Sequence, residues 1–258
     1  MNKKKIIHFF KGIYIRLREK TYKSNKTRCK YLLYDDREAD SLIVGLQSCA
    51  NPPVYNYVRS LSKTKAVRLY IKDDFAKDHR GSYYLGEKAM GNVEPTVVEL
   101  VSKVRDKIIS RHGDIKNIIF IGSSKGGYSA INFATMFKGA NAVVAAPQYL
   151  LGNYLNCDIM RDQLIDIVGD NSPENIQYLN NRLRNKIFNE GKKNKPIIYI
   201  HYSDEEHTYE EHIKYLIEDL KKAEIKVYED IGHYPEHSDL YKFFPEYLVK
   251  MIKEILYE

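Results

Sequence analysis

The chain of 258 residues has no tryptophan and only three cysteines, Cys29, Cys49 and Cys157. No two cysteines have CxxC spacing, which argues against a disulfide scaffold and against a structural zinc site. A small, odd number of cysteines is typical of a reducing compartment, so we expect a cytoplasmic protein. No apolar run reaches the length of about 18 residues that a membrane-spanning helix needs.

Most of the chain lacks a net positive charge, although the whole chain carries +7. Residues 1–30 contain eleven lysines and arginines against a single acid, Glu19, a net +10 that leaves −3 for residues 31–258. The body of the protein is therefore slightly acidic, and we expect no nucleic-acid partner. Apolar residues make up 43% and charged residues 29%, which predicts one globular domain with a substantial core.

The basic segment at the start of the chain predicts an arm over residues 1–28, followed by the main domain over 29–258. Within residues 1–20, isoleucines, phenylalanines and a leucine alternate with lysines and arginines. One interpretation is an amphipathic helix that touches the anionic inner face of a membrane. The alternative is a leading helix that packs on the domain with its lysines in water.

Short β-rich segments recur along the chain, and several are continuous apolar runs, which is typical of strands buried on both faces of a parallel sheet. We predict strands over residues 30–34, 42–47, 66–71, 118–121, 142–145, 197–201 and 225–228.

Helical patterns lie between these strands, over residues 97–108, after Ser124, and over 207–222 and 238–257, with Ser238 as an N-cap. Alternating strands and helices predict an α/β protein, a three-layer α/β/α sandwich with a mostly parallel sheet. Residues 148–195 hold two predicted helices, over 158–168 and 173–189, and no strand. We expect a helical insertion there that caps a pocket, or one that serves as padding.

Residues 122–126 read Gly-Ser-Ser-Lys-Gly and match the pattern G-x-S-x-G between a strand and a helix. In a nucleophile elbow, a sharp turn exposes a serine hydroxyl and crowds its neighbours so that they must be glycine. Ser124 is thus the predicted nucleophile. The amide of Lys125 is a predicted oxyanion donor, and the loop after strand 42–47 supplies a second, with Ser48 and Cys49 as candidates. The alternative is a phosphate-binding turn, but neither G-x-x-x-x-G-K-[ST] nor G-x-G-x-x-G is present.

An acid and a base are expected after later strands, in the order serine, acid, histidine. Asp204 follows strand 197–201 and is the predicted acid, with Glu205 or Glu206 as alternatives. His233 and His237 follow the last strand, and either can be the base. We expect no cofactor, since the predicted chemistry needs none.

Residues 233–237 also match the zinc pattern H-x-x-E-H, but Pro235 makes the helix that this motif needs unfavourable. Residues 204–212 combine acids with His207 and His212, which suggests a metal cluster or, more simply, the acidic first turn of a helix. We therefore predict no metal site. The 22 tyrosines can line a carbohydrate site, although most are expected to serve packing.

With these motifs in view, the chain resembles α/β-hydrolase-fold proteins. Within them it is similar to capsular polysaccharide biosynthesis proteins of the XcbB/CpsF type and, more distantly, to the glycan-acetylating proteins of the accessory Sec system. The resemblance covers most of the chain after the arm. It depends on these stretches: Tyr55 to Tyr57, Asp73-Asp74, Arg80 to Gly86, Gly122 to Gly127, Ala146 to Gln148, Leu151 to Tyr154, His237 to Leu240, and Phe243 to Pro245.

The resemblance implies a role in making or decorating bacterial surface glycans, and it favours His237 over His233 as the base. The leading hypothesis is a serine esterase or O-acyltransferase that forms an acyl-enzyme on Ser124 and acts on a glycan or acyl-sugar. One alternative is a non-catalytic accessory or assembly protein of polysaccharide biosynthesis or glycoprotein export on the same scaffold. Another is a transferase that binds a phosphate or nucleotide at the glycine-rich turn. The sequence leaves the acyl donor, the acceptor and the oligomeric state open.

Overall fold

A computed structural model describes residues 15, 17–77, 79–87 and 90–257 of the chain. Among these residues, eight strands form one sheet in the order β1-β2-β4-β3-β5-β6-β7-β8. The strands are β1 (Lys20–Lys23), β2 (Arg28–Tyr34), β3 (Ser41–Leu46), β4 (Val67–Ile71), β5 (Asn117–Ser123), β6 (Asn141–Ala145), β7 (Ile197–Ser203) and β8 (Lys226–Gly232). Strands β1 and β2 are antiparallel to their neighbours, and the pairs from β4 to β8 are parallel.

Helices follow strands β4, β5, β6, β7 and β8. They are α1 (Val93–His112), α2 (Lys125–Ala134), α3 (Leu151–Leu155), α4 (Arg161–Val168), α5 (Pro173–Lys186), α6 (Lys192–Asn194), α7 (Lys214–Lys222) and α8 (Leu240–Tyr257). Two π-helical turns, Ile187–Gly191 and Tyr209–Ile213, precede α6 and α7, and a short 3₁₀ turn, His237–Asp239, precedes α8. Helices α3 to α6 all lie between β6 and β7.

The side chains of the central strands are buried on both sides of the sheet, because successive residues of a strand point to opposite faces. Leu42 and Val44 of β3 join one apolar cluster, which includes residues of α1, α2 and α7. Ile43, between them, joins a second cluster with residues of α8. Burial on both faces explains why β3, β5 and β6 read as continuous apolar runs rather than as alternating patterns.

All seven predicted strands are present, and the sheet is mostly parallel as expected. Strand β1 was not predicted. Its sequence, KTYK, is largely exposed at one edge of the sheet, and a polar edge strand has no apolar pattern to reveal it. Ser238 is not the N-cap of α8, because it lies inside the 3₁₀ turn that leads into the helix.

The predicted basic arm falls partly outside the described residues, namely at 1–14 and 16. Of its described part, β1 pairs with β2 and therefore belongs to the sheet. Among the described residues, no helix combines the length and the hydropathy needed to span a bilayer.

Six neighbouring strands, β4, β3, β5, β6, β7 and β8, are parallel and end at the same edge of the sheet. Their carboxyl-terminal loops therefore meet there, as is usual for ligand sites in open α/β sheets. The predicted site residues follow β3, β5, β7 and β8. The loop after β6 contributes to the same edge.

Candidate active site

Ser124 lies at a strained turn between β5 and α2. Its backbone has φ 53° and ψ −121°, a conformation that L-residues rarely adopt and that clusters at functional sites. The flanking glycines make the turn feasible. A Cβ on Gly122 would lie 2.3 Å from the carbonyl oxygen of Gly126, and a Cβ on Gly126 would lie 2.8 Å from that of Leu46. The crowding expected of a nucleophile elbow is present in this turn.

Among the described residues, the side chain hydrogen-bonded to the Ser124 hydroxyl is a glutamine from the loop after the neighbouring strand, and neither His233 nor His237 is hydrogen-bonded to it. Nε2 of Gln148 donates to Oγ of Ser124 over 2.7 Å, and Gln148 is fully buried. The turn itself is held by the Ser124 amide, which donates to the carbonyl of Ala145 over 2.8 Å. Lys125 is the first residue of α2, so its amide has no acceptor within the helix.

The loop after β3, where we expected a second oxyanion donor, already uses two of its amides. The Gln47 amide donates to the Tyr84 hydroxyl over 2.8 Å, and the Ser48 amide donates to Oδ1 of Asn56 over 3.0 Å. The roles of Ser48 and Cys49 as oxyanion donors therefore stay predictions. Gln148 was not predicted to serve there, yet its side-chain amide is the group that contacts the predicted nucleophile, Ser124.

A chain of hydroxyl groups joins this loop to the elbow. Oγ of Ser123 lies 2.9 Å from Oγ of Ser48 and 2.6 Å from the Tyr57 hydroxyl. Burial raises the pKa of Tyr57, and hydrogen bonds from the two serines oppose this only in part. The Tyr57 phenol therefore stays protonated at neutral pH and ties the loop to the end of β5.

Two histidine–carboxylate pairs lie beyond β7 and β8, and they differ in burial. Nδ1 of His233 is 2.8 Å from Oδ1 of Asp204, and these side chains are 68% and 41% exposed. Nδ1 of His237 contacts Oε1 of Glu206, and their side chains are 28% and 0% exposed. Thr208 donates to the same Glu206 oxygen over 2.7 Å. Because water screens exposed charges, the carboxylate in the buried pair acts more strongly on its imidazole.

Asp204, Glu205 and His233 bring side-chain ligand atoms within 4.8 Å of one another, but all three residues are exposed. Residues 233–236, where the zinc pattern begins, are not helical. The two histidines of that pattern instead pair with different carboxylates, Asp204 and Glu206. Each histidine is thus hydrogen-bonded to its own carboxylate, an arrangement that suits an acid–base pair.

Lys125, between Ser124 and Gly126, forms a completely buried ion pair. Its Nζ lies 2.8 Å from Oδ2 of Asp73, and neither side chain is exposed. Oδ1 of Asp73 accepts the Ser82 amide over 2.9 Å. The pair thus connects the start of α2 to the loop after β4. A Cβ on Gly81 would lie 2.1 Å from the lysine nitrogen, so glycine is required there.

We expect Lys125→Met to lower the free energy of unfolding by about 3–5 kcal/mol, because it leaves the Asp73 carboxylate buried without its partner. Urea denaturation measures this loss. The matched control is Lys214→Met, which breaks an exposed pair with Glu210 and should leave the free energy of unfolding almost unchanged, because water screens that pair. Equal stability of the two variants would contradict the role assigned to the buried pair.

Two residues of this site carried little or no signal in the sequence. Glu206 lies only two positions from Asp204, and burial alone distinguishes the two acids. Gln148 follows β6, a neighbour of β5 in a parallel sheet, so the rule that such strands end together could have identified it.

No protein-family model matches the chain, and none of the curated proteins does. Solved structures do match. The capsule O-acetyltransferase of Neisseria meningitidis serogroup A is 19% identical, covers 90% of this chain and 94% of its own, and has a TM-score of 0.73.

Two further structures match over more than nine-tenths of this chain. The glycosylation-associated protein complex Gap123 of Streptococcus agalactiae is 15% identical over 92% of this chain and 47% of its own, with a TM-score of 0.67. A fluorophosphonate-binding serine hydrolase of Staphylococcus aureus is 14% identical over 93% and 98%, with a TM-score of 0.58. At these identities the likeness concerns the fold. It confirms the expected α/β-hydrolase-like fold.

Proposed function

We propose that this protein is a serine-dependent acyl-transfer enzyme, an O-acyltransferase or carboxylic-ester hydrolase, that acts in bacterial capsule or surface-glycan biosynthesis. The observation that carries the proposal is the strained turn that presents Ser124 to a side-chain amide at the carboxyl edge of the sheet. The fold shared with a capsule O-acetyltransferase over most of both chains supports the glycan context.

The catalytic residues that we propose are Ser124 as nucleophile, His237 as base and Glu206 as the acid that orients it. We propose Glu206 rather than the predicted Asp204 because the Glu206 carboxylate is buried against the imidazole of His237, whereas Asp204 is exposed beside His233. With Nδ1 of His237 engaged by Glu206, Nε2 is the nitrogen that exchanges a proton with Ser124. A buried carboxylate stabilises the imidazolium that forms during the reaction.

In the first half-reaction, Oγ of Ser124 attacks the carbonyl carbon of the acyl donor while its proton passes to His237. The bond to the leaving group then breaks, and that group takes the proton from His237. In the second half, an acceptor hydroxyl or water attacks the acyl-Ser124 ester. It gives its proton to His237, which returns it to Oγ as the ester bond to Ser124 breaks.

Coenzyme A esters are one class of acyl donor consistent with this scheme, since a solved structure of the N. meningitidis capsule O-acetyltransferase contains coenzyme A. Hydrolysis and transfer share the same acyl-enzyme. Which of them dominates depends on whether water or a sugar hydroxyl reaches the ester, and helices α3 to α6, as a cap, would control that access.

The test is a burst experiment with p-nitrophenyl acetate. An acyl-enzyme releases one equivalent of nitrophenolate rapidly and then turns over slowly. If the enzyme uses thioester donors, acetyl coenzyme A should compete with p-nitrophenyl acetate and reduce the release of nitrophenolate. Absence of both burst and turnover would favour the alternative of a non-catalytic assembly protein on the same scaffold.

We propose that the side-chain amide of Gln148, which contacts Ser124, is the second oxyanion donor beside the Lys125 amide. Gln148→Met should therefore lower kcat by about 10²–10³-fold with little change in KM. Methionine has a similar shape and cannot donate. The control is Gln163→Met, which removes a buried amide bonded to Gly81 rather than to Ser124. A Gln148→Met enzyme with unchanged kcat would assign the oxyanion site to the loop after β3.

A further inference from the structure

A cavity of about 630 Å³ lies next to the proposed base, between α3 and the π-helical turn Tyr209–Ile213. Leu150, two residues after Gln148, forms part of one wall. His207, which directly follows Glu206, forms part of the other, and its ring centroid is 6.2 Å from that of His237. Because His207 lies in the wall and its ring is close to that of His237, a ligand in this cavity would lie beside the proposed base.

The wall of the cavity contains a buried donor without an acceptor. Nδ1 of His212 accepts the Leu150 amide over 3.2 Å, so the ring hydrogen is on Nε2. Within the described part of the chain, this Nε2 has no hydrogen-bond partner, and His212 is only 1% exposed. Oε2 of Glu211, the carboxylate beside it, is 4.0 Å away, beyond hydrogen-bond reach.

His212 is an uncharged donor under ordinary conditions. Burial lowers its pKa to about 4, and the nearby imidazoles of His207 and His237 act in the same direction, while Glu206 opposes them. A buried N–H without an acceptor is costly, so an oxygen atom of a ligand would stabilise this arrangement. A neutral donor of this kind suits a hydroxyl or carbonyl oxygen.

The rim of the cavity carries negative charge. Glu210 and Glu211 line it, and no lysine or arginine is among the described residues of the lining. Lys214, which is not part of the lining, pairs with Glu210. The Glu211 side chain is 58% exposed and has no lysine or arginine partner among the described residues of the wall. Carboxylates accept hydrogen bonds from hydroxyl and ammonium groups and repel anions. Tyr154 adds an aromatic surface to the wall of the cavity. Its ring packs edge-on against that of His212, with the two ring centroids 5.8 Å apart.

We propose that this cavity is the acceptor site and that it binds an uncharged or amino sugar residue of a glycan, with one hydroxyl directed to His237. The proposal rests on the proposed function, because only an acyl-enzyme needs an acceptor. An oxygen of the sugar accepts from Nε2 of His212, and sugar hydroxyls or an amino group donate to Glu210 and Glu211. Anionic glycans and the phosphates of coenzyme A are disfavoured at this position.

The test compares three trisaccharides of different charge by isothermal titration calorimetry with the Ser124→Ala protein, in which no turnover occurs. They are the N-acetylglucosamine trimer, the glucosamine trimer and α2,8-linked trisialic acid. We expect the first two to bind and trisialic acid not to bind. His212→Phe should weaken binding of the uncharged trimer at least tenfold, whereas His112→Phe, an exposed histidine at the end of α1, should leave it unchanged.

Charge reversal on the rim provides a variant that keeps the core intact. Glu211→Lys should weaken binding of the glucosamine trimer at least tenfold and allow trisialic acid to bind. The proposal would be overturned if trisialic acid bound the protein with native Glu211 as tightly as the other trimers do. It would also be overturned if no trimer bound, or if His212→Phe left binding of the uncharged trimer unchanged.

Labelling of Ser124 by a fluorophosphonate, measured in the His212→Phe protein, distinguishes failure of the acceptor-site proposal from failure of the proposed function. Labelling without sugar binding to the parent protein would leave the acyl-enzyme in place and remove the acceptor site. Sugar binding that depends on His212, in a protein that no fluorophosphonate labels, would instead remove the catalytic scheme.

Discussion

Replacing His237 by glutamine or Glu206 by glutamine is expected to lower the rate of ester hydrolysis by about 10³–10⁴-fold. Each change removes one half of the buried pair that would accept and stabilise the proton of Ser124. Glutamine keeps the approximate size of both side chains, so the loss reflects charge and proton transfer rather than packing. Turnover of p-nitrophenyl acetate gives the rates, and thermal unfolding shows that the variants are folded.

The second histidine–carboxylate pair provides the matched controls. His233→Gln and Asp204→Asn alter an exposed pair of the same chemistry. Its members are 29 residues apart in sequence, and those of the proposed catalytic pair are 31 apart. Exposed pairs contribute at most about 1 kcal/mol, so we expect the rate to stay within about fivefold. A large loss in these variants, with normal activity of the His237 and Glu206 variants, would exchange the roles of the two pairs.

Ser124→Ala should lower the same rate by on the order of 10⁴-fold or more, because no other group in the proposed scheme carries the acyl intermediate. Ser123→Ala is the control. It removes the adjacent hydroxyl, which links Tyr57 and Ser48, and should cost about one hydrogen bond, or roughly fivefold. If Ser123→Ala abolished activity and Ser124→Ala did not, the nucleophile would have been assigned to the wrong serine.

The sheet and the elbow were predictable because each depends on local chemistry. Strands buried on both faces have to be apolar throughout, so β3, β5 and β6 were recognisable as runs. The glycines around Ser124 are required by contacts within the turn itself and with the adjacent strand end. Because these contacts are local, the glycines keep their spacing around the serine in any such turn, and the motif can be read from the sequence.

The partners of the nucleophile were less predictable because they depend on burial, which spacing does not encode. Asp204 and Glu206 both follow β7 closely, and only the three-dimensional structure shows that one is in water and the other is enclosed. Gln148 belongs to a loop whose motif, Ala-Pro-Gln, suggested kinship rather than a role. Ala146 turns the chain there with a φ of 37°. Alanine rarely adopts a positive φ, so the sequence did not predict this turn.

Lys125 illustrates how one position can serve both stability and chemistry. Its backbone amide begins α2 next to the nucleophile, and its side chain reaches the buried Asp73 in the loop after β4. The ion pair holds the first turn of the helix in place, so in the proposed scheme the Lys125 amide would need no reorganisation to stabilise an oxyanion. The sequence suggested the role of the amide and gave no sign of the pair.

The most direct test of the proposed acyl-enzyme is to find where a mechanism-based reagent attaches. The wild-type protein is treated with a fluorophosphonate, digested, and mapped by mass spectrometry. We expect one adduct per chain, on Ser124, and none in the His237→Gln protein under the same conditions. An unmodified protein, or an adduct on any other residue, would contradict the proposal that Ser124 is an activated nucleophile.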